Sequence, residues 1–252
     1  MSIKLKRSKK RHFLLSLIYK LDKLLPISNP ARMRLYLDLE WIFERLSHER
    51  SFKAFPRNAH PVRSISTSFL EKYLSKEHEV LDLGCNTGEL TFLISKHVNR
   101  ITGIDNNCEF VAKANELYSG ERIDFICSDA LKYLEGNKQR FNVLILSHIL
   151  EHLDQPTELL TSYKKYFEYI YVEVPDFERT HLNLYRRELG STLIYSDADH
   201  IWEFDRSDIL TLLASCGLWV LDSEYRLGVQ KYWCSTRPPD HQVPHDDQRP
   251  AS

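Results

Sequence analysis

From Glu79 onward, short apolar runs and amphipathic stretches alternate along the chain. Runs rich in β-branched and aromatic residues fall at Glu79–Leu83, Arg100–Ile104, Ile123–Cys127, Phe141–Leu146 and Tyr169–Val174. Helical spacing of apolar positions separates several of them, over Glu89–His97, Cys108–Leu117 and Pro156–Phe167. Strand–helix alternation predicts a parallel, doubly wound, Rossmann-like α/β sheet, because each parallel crossover needs a helix to bring the chain back to the same edge. The alternation breaks over Asp176–Asp205, a charged stretch with Tyr and His, which predicts an insertion. A helix is expected at Arg206–Cys216. Only Arg226–Gly228 separates the last two runs, Leu218–Tyr225 and Val229–Ser235, so these predict an antiparallel C-terminal hairpin.

Upstream, Leu14, Leu17, Ile18, Leu21 and Leu25 recur at helical spacing beside Lys20 and Lys23, predicting an amphipathic basic helix over Phe13–Leu25. A second helix is predicted from Pro30 to Glu49, a linker from Phe55 to Arg63, and a third helix over Thr67–Leu74. The last stretch, Thr236–Ser252, holds four prolines and almost no apolar residue, the composition of a disordered tail. The chain therefore divides into a basic, helical extension (1–66), an α/β domain (67–235) with a covering insertion at about 176–205, and the tail (236–252).

Composition narrows the classes. The 252 residues are 42% hydrophobic and 12% aromatic, with 34 Lys+Arg against 35 Asp+Glu, the profile of a soluble globular protein. No run approaches the roughly 18 uninterrupted apolar residues of a membrane span. The balanced charge hides an asymmetry: residues 1–36 carry ten Lys/Arg and one acid, leaving 24 bases and 34 acids for the remainder. The basic N-terminal helix reads either as a peripheral contact for an anionic membrane face or as a helix docked on its own domain. The acidic body makes nucleic acid an unfavoured partner. Phe13–Tyr19 runs only seven residues before Lys20, Asp22 and Lys23 interrupt it, and no small-residue cleavage site follows, so the segment is expected to be retained and the chain cytoplasmic. The five cysteines, an odd set with no CxxC pair, are expected to be buried free thiols in a reducing compartment.

The segment Val80-Leu-Asp-Leu-Gly-Cys-Asn-Thr-Gly-Glu89 is a strand running into a glycine turn and a helix, an arrangement that brings backbone N–H groups up to a ligand. A G-x-G-x-x-G dinucleotide fingerprint is not met, since Asn86 and Glu89 replace its last two glycines. Twenty-one residues beyond Gly84, the next run ends at Asp105, where a carboxylate can accept both hydroxyls of a ribose. A third run leads to Asp129, so Asp82, Asp105 and Asp129 are expected along the crevice edge of consecutive strands.

With these residues in this order, the chain resembles the class I S-adenosylmethionine-dependent methyltransferases over about Glu79–Ser235. The resemblance implies a seven-stranded sheet and S-adenosyl-L-methionine as cofactor. It implies Asp82, Gly84, Cys85, Asn86 and Gly88 at the methionine end, Asp105 and Asn106 at the ribose, and Ser128, Asp129 and Ala130 near the adenine. Ser147 and His148, at the end of the fourth run, are also expected to border the cofactor. Asn86 departs from the glycine many members carry.

The segment His148-Ile-Leu-Glu151-His152-Leu-Asp-Gln-Pro156 resembles the H-x-x-E-H-x-x-x-P pattern of a subgroup acting on small molecules, sugars and lipids. His148, His152 and the distant His200 are the expected catalytic residues, a histidine near neutrality suiting removal of the acceptor's proton; scaffold roles stay open for each. Direct general-base catalysis without a metal is the default. A metal reading of His148, Glu151, His152 and His200 rests on similarity to small-RNA terminal 2′-O-methyltransferases, from whose Glu-x-x-Glu-His set this chain departs at His148. Within the insertion, Tyr185, Arg186, Arg187 and Tyr195, together with the acids Glu188, Asp197 and Asp199, are candidates to grip a polar acceptor; the alternative is a solvated loop with Trp202 and Phe204 as core plugs. The expected activity is methyl transfer to an oxygen, less readily a nitrogen, of a polar small molecule, sugar or lipid-linked glycan. RNA 2′-O-methylation and a non-catalytic scaffold are the rival readings.

Overall fold

The computed structural model describes residues 13–56, 60–136, 140–197 and 199–239. Three helices lead the chain: α1 (Phe13–Asp22), α2 (Asn29–Ala54) and α3 (Pro61–Leu70). Then follow β1 (Glu79–Leu83), α4 (Glu89–Ser95), β2 (Arg100–Asp105), α5 (Cys108–Tyr118), β3 (Ile123–Cys127), α6 (Ala130–Gly136) and β4 (Val143–Ser147). The C-terminal half holds α7 (Pro156–Tyr163), β5 (Tyr169–Pro175), α8 (Leu182–Glu188), α9 (Arg206–Ser215), β6 (Trp219–Arg226) and β7 (Val229–Ser235).

The seven strands form one sheet in the order β3-β2-β1-β4-β5-β7-β6. The first five strands pair in parallel, and β7 runs antiparallel to both β5 and β6. Alternation along β4 shows why the sheet is covered on both faces. Leu144 and Leu146 join a core with Leu160 and Tyr163 of α7 and Ile209 and Leu213 of α9. Val143 and Ile145 face the other way, into a core with Phe69 and Leu70 of α3 and Leu90 and Ile94 of α4. A strand buried on both faces reads as a continuous apolar run, which is why VLIL carries no polar alternation. Chain order reverses at β1, flanked by β2 and β4, and ligands in such sheets bind beyond the strand ends at that reversal.

Several sequence expectations need correction. The third helix starts at Pro61, inside the predicted linker, and ends at Leu70, because proline's fixed φ and missing N–H suit a first helical turn. Residues 130–136, for which no element was expected, form α6, and the insertion is not irregular throughout, since it contains α8. The cysteines are not all free thiols: Cys108, opening α5, is disulfide-bonded to Cys127 at the end of β3, both exposed, because α5 starts directly over the neighbouring strand end. Cys85, Cys216 and Cys234 are buried thiols. The predicted basic run before Phe13 and most of the predicted tail lie outside the described residues.

The insertion and α2 are tied together by Arg186, whose side chain is 1% exposed. Its guanidinium donates to Asn183 Oδ1 at 2.8 Å and to the Leu37 carbonyl at 3.1 Å, and it pairs with Glu40. This corrects its expected role as an acceptor-gripping residue. Arg179 makes a second bridge, to Glu44. α2 is thereby held over the sheet's C-terminal edge.

Replacing Arg186 with Met keeps the apolar stem and removes the donors, leaving the Leu37 carbonyl and Glu40 without them. The loss should be about 1–3 kcal/mol of stability, measured by urea unfolding, with proteolysis by trypsin accelerated within α2 first. An unchanged unfolding midpoint would show that α2 does not depend on this contact.

Candidate active site

The turn after β1 is shaped by three residues with positive φ: Gly84 (+71°), Asn86 (+50°) and Gly88 (+82°). Gly88 has a packing reason as well, because a Cβ there would lie 2.6 Å from the Phe125 ring. Asp105, at the end of β2, stands across from this turn. One carboxylate oxygen accepts from the Asn86 N–H at 2.9 Å and the other from the Asn107 N–H at 2.8 Å. The positive-φ turn at Asn86 is what aims its amide at the neighbouring strand's acid.

Asp82 and Asp129 do not join Asp105 in an open row of acids. Asp82 points within the fold, 2% exposed, and accepts from the Thr91 hydroxyl of α4 at 2.5 Å. Asp129 is exposed and accepts from the Lys132 N–H, fixing the start of α6. Asn106 is exposed, Ser128 half-buried with its hydroxyl on the Asp129 carbonyl, and Ala130 buried in the core. Cys85 packs beside Gly103, where burial pushes its thiol pKa up, so it is no thiolate.

Beyond β4 the chain turns at His148, a non-glycine residue with φ +56°. Such a backbone is held by its surroundings. The His148 N–H donates to the Glu173 carbonyl at 2.8 Å. Its ring lies between two buried carboxylates: Nδ1 is 3.0 Å from Glu151 Oε1, and Nε2 is 3.3 Å from Glu173 Oε1. Burial opposes charging the ring, yet the hydrogen bonds to Glu151 and Glu173 outweigh it and raise its pKa to about 10. Burial likewise works against ionising Glu173, and the His148 contact overrides it, lowering that carboxyl to about 2. Glu173 also receives the Ser66 hydroxyl at 2.8 Å and the Tyr171 hydroxyl. Both ring nitrogens thus face a carboxylate, the geometry of the scaffold role that stood beside the base as a reading of His148.

The other two histidines meet face to edge, with ring centroids 4.7 Å apart. His152 Nδ1 faces Asp199, 3.4 Å from its carbonyl oxygen. His200 Nδ1 is 2.9 Å from Glu203 Oε1, and although burial works against the charged ring, Glu203 tips its pKa upward. Backbone bonds zip the segments together: the N–H groups of Ile201 and Trp202 both donate to the Glu151 carbonyl, at 2.8 and 3.1 Å. Trp202 donates its indole N–H to the Leu153 carbonyl and stays partly exposed, so it closes this seam instead of plugging the core; Phe204 is buried as expected. Glu151, His152 and His200 each offer a ligand atom within 4.8 Å of the others.

A crevice of about 360 Å³ gathers these parts: Asp82, Gly84, Cys85 and Asn86 on one wall, Ser147, His148, His152, Asp199 and His200 on the other. Asp105, Asn106, Gly88, Ser128, Asp129 and Ala130 are not on its wall. Sequence reasoning missed His48 and Phe52 of α2, which close the crevice from above together with Asp197, an expected acid of the insertion. No local signal marks His48 or Phe52, as long-range contacts bring α2 there: the Arg186 and Arg179 bridges, the Trp41 indole N–H on the Tyr195 carbonyl at 2.7 Å, and Arg45 paired with Asp197 at 2.7 Å. A second cavity of about 280 Å³ continues past His48, His148, Asp197 and His200 to Trp41, Glu44, Arg45 and Arg179.

Residues 50–223 match the family model described as "Methyltransferase domain". The chain belongs to this methyltransferase family, and its fold is that of the S-adenosylmethionine-dependent methyltransferases. Among curated proteins, a ubiquinone biosynthesis O-methyltransferase of Coxiella burnetii is 28% identical over 104 residues, 40% of this chain and 44% of that protein. The namesake from Pseudoalteromonas translucida is 31% identical over 86 residues, covering 33% and 36%. The matched region thus spans less than half the length of these relatives. Among solved structures, a SAM-dependent methyltransferase from Archaeoglobus fulgidus superposes with a TM-score of 0.53 at 18% identity, covering 75% of this chain and 98% of that one. The N-methyltransferase NodS from Bradyrhizobium japonicum, in complex with S-adenosyl-L-homocysteine, gives 0.52 at 16% identity, covering 69% and 86%.

The ion pairs set a pH window. With its pKa raised from 6.5 to about 10, His148 contributes stability that is complete below about 6.5 and is lost as pH climbs through about 10. Glu173, lowered from 4.5 to about 2, contributes stability that is complete above about 4.5 and is lost on acidification towards about 2. Imidazole NMR titration should find His148 still protonated throughout the neutral range, and a midpoint near 6.5 would remove the double ion pair from this site.

Proposed function

We propose that this protein transfers the methyl group of S-adenosyl-L-methionine to an oxygen of a polar small molecule, sugar or lipid-linked glycan. The observation carrying the reading is that the glycine turn after β1 and the His152–His200 pair face each other across one crevice at the reversal of strand order. In this reading Gly84, Cys85, Asn86 and Gly88 admit the cofactor's methionine end, near Ser147 and His148. Asp105 and Asn106 take the ribose, and Ser128, Asp129 and Ala130 border the adenine. Asp105 already accepts two amide N–H groups, and a carboxylate has about four lone-pair sites, so room remains for ribose hydroxyls. The acids Asp82, Asp197 and Asp199 on the crevice wall favour a sulfonium cation over neutral ligands.

The acceptor occupies the second cavity, whose Trp41, Arg45 and Arg179 suit a hydroxylated molecule better than an apolar one. Methyl transfer is an in-line displacement, and the protein's contribution is to align the acceptor oxygen with the methyl carbon and activate it. Activation falls to the His152–His200 pair, since His148 is committed to its two carboxylates. His148 serves instead to hold Glu151 and Glu173 in place. The low-identity resemblance to ubiquinone biosynthesis O-methyltransferases supports oxygen as the acceptor atom.

Asp105→Ala should weaken S-adenosylmethionine binding by about 2–4 kcal/mol through lost charged hydrogen bonds, read by titration calorimetry. His200→Ala should keep cofactor affinity and lower turnover by about 10²–10⁴-fold. Equal affinity in Asp105→Ala, or full turnover in His200→Ala, would overturn the respective role.

The membrane side of the reading rests on α1. Phe13, Leu14, Leu17, Ile18 and Leu21 are all exposed, no α1 residue is buried, and Lys20 lies in its last turn with further bases upstream in the sequence. An apolar face with basic flanks suits an anionic lipid surface, which a lipid-linked acceptor would share. Removing residues 1–25 should release the protein from phosphatidylserine vesicles in a flotation assay while its thermal midpoint holds. Unaltered flotation would end this part of the reading.

A further inference from the structure

Glu151 is fully buried, and its two carboxylate oxygens are treated very differently. Oε1 is bound by His148, at 3.0 Å. Oε2 is equally shut off from solvent and has no hydrogen-bond partner among the described residues. A buried carboxylate oxygen without a donor costs about 1–3 kcal/mol or more, and such a group calls for a partner of its own.

The atoms nearest in kind are two histidines. At His152 and at His200 alike, Nδ1 is turned towards an oxygen: the Asp199 carbonyl in one case, the Glu203 carboxylate in the other. With Nδ1–H donated, the lone pair rests on Nε2. This is the arrangement that metal-ligating histidines adopt, an oxygen acceptor fixing the tautomer and aiming the free nitrogen. The three ligand atoms lie within 4.8 Å of one another, so small side-chain rotations bring them to bonds of about 2.0–2.2 Å around one ion. The bonds from Ile201 and Trp202 to the Glu151 carbonyl lock the ligand-bearing segments together.

We propose that Glu151, His152 and His200 bind a divalent transition-metal ion on the crevice wall, its open coordination position directed at the acceptor oxygen. Two imidazoles and a carboxylate select zinc, iron, cobalt or manganese over magnesium or calcium. Three protein ligands with one position open is the pattern of a catalytic site, not a structural one. His148 is not a ligand, both its nitrogens being engaged; it orients Glu151. This deepens the reading above and rests on it: the histidine pair activates the acceptor through the ion, not as a free base. The acceptor hydroxyl, coordinated to the cation, releases its proton to water at a lowered pKa. The oxygen lone pair then forms the bond to the methyl carbon, the carbon–sulfur bond breaks, and its electron pair returns to sulfur, converting the sulfonium to a neutral thioether. The ion's affinity for hydroxyl oxygen also excludes a protonated amine as acceptor.

The test uses the full chain, stripped with chelator and titrated with Co²⁺ while visible absorption is followed, alongside separate calorimetry with S-adenosylmethionine. The wild type should bind one Co²⁺ with d–d bands of a low-symmetry nitrogen–oxygen site. Glu151→Gln and His200→Ala should lose those bands while keeping their cofactor affinity. Glu203→Gln, at a residue that meets His200 through its outer nitrogen and otherwise Ser196, should weaken Co²⁺ by about 10–100-fold, and it covers the case in which Glu151→Gln fails to fold. Co²⁺ bound no more tightly by the wild type than by His200→Ala would overturn the metal site and leave the methyltransferase reading standing. Absent cofactor binding with Co²⁺ binding intact would do the reverse.

Discussion

The imidazole of His148, held between Glu151 and Glu173, is the contact from which the crevice is built. Two buried carboxylates would repel one another and desolvate at high cost without a cation between them. The ring supplies it, and in doing so couples the end of β4 to β5 and to the short helical turn carrying Glu151. Glu173 then reaches Ser66 on α3, so the N-terminal helices are drawn against the same edge of the sheet. Through the Glu151 carbonyl, the insertion is fastened by Ile201 and Trp202. One charged ring thus sets the positions of three segments far apart in sequence, at the cost of a strained backbone at φ +56°.

The crevice divides into a wall made of backbone and a wall made of side chains. On the β1 side, positive-φ residues let the chain turn tightly, and Asp105 holds the turn through the Asn86 amide. On the β4 side, acids and histidines come from the 148–153 turn, from the insertion and from α2. The second wall belongs to the elements outside the repeating strand–helix pattern.

Much of the fold was legible in the sequence because a buried parallel strand needs a continuous apolar run, and that signal is local. β1, β3 and β7 fall where their runs predict, to the residue, and the hairpin follows from three residues between two runs. The ends of α3 and the presence of α6 were not legible. Pro61 could stop a linker or open a helix with equal local logic, and ALKYLEG has too short a period to stand out. The Cys108–Cys127 bond escaped for another reason, since cysteine spacing along the chain does not report which strand end lies beneath which helix. At the site, His148, His152, His200 and the glycine turn were identifiable by type and by their place after strands.

What the sequence determined by itself, then, is the run of strands, the glycine turn and the acid ending the next strand at Asp105, each the consequence of a short local segment; the strand order, and with it the switch point, came from the tertiary structure. Tertiary structure decided the chemistry of the histidines. Whether an imidazole is a base, a clamp or a ligand depends on what stands at each of its nitrogens. For His148 that is Glu173, 25 positions away, and for His152 and His200 it is Asp199, Glu203 and the orphaned oxygen of Glu151. Packing set those partners, and α2 is held over them by long-range contacts, among them the buried Arg186 of α8 on the Leu37 carbonyl and Glu40.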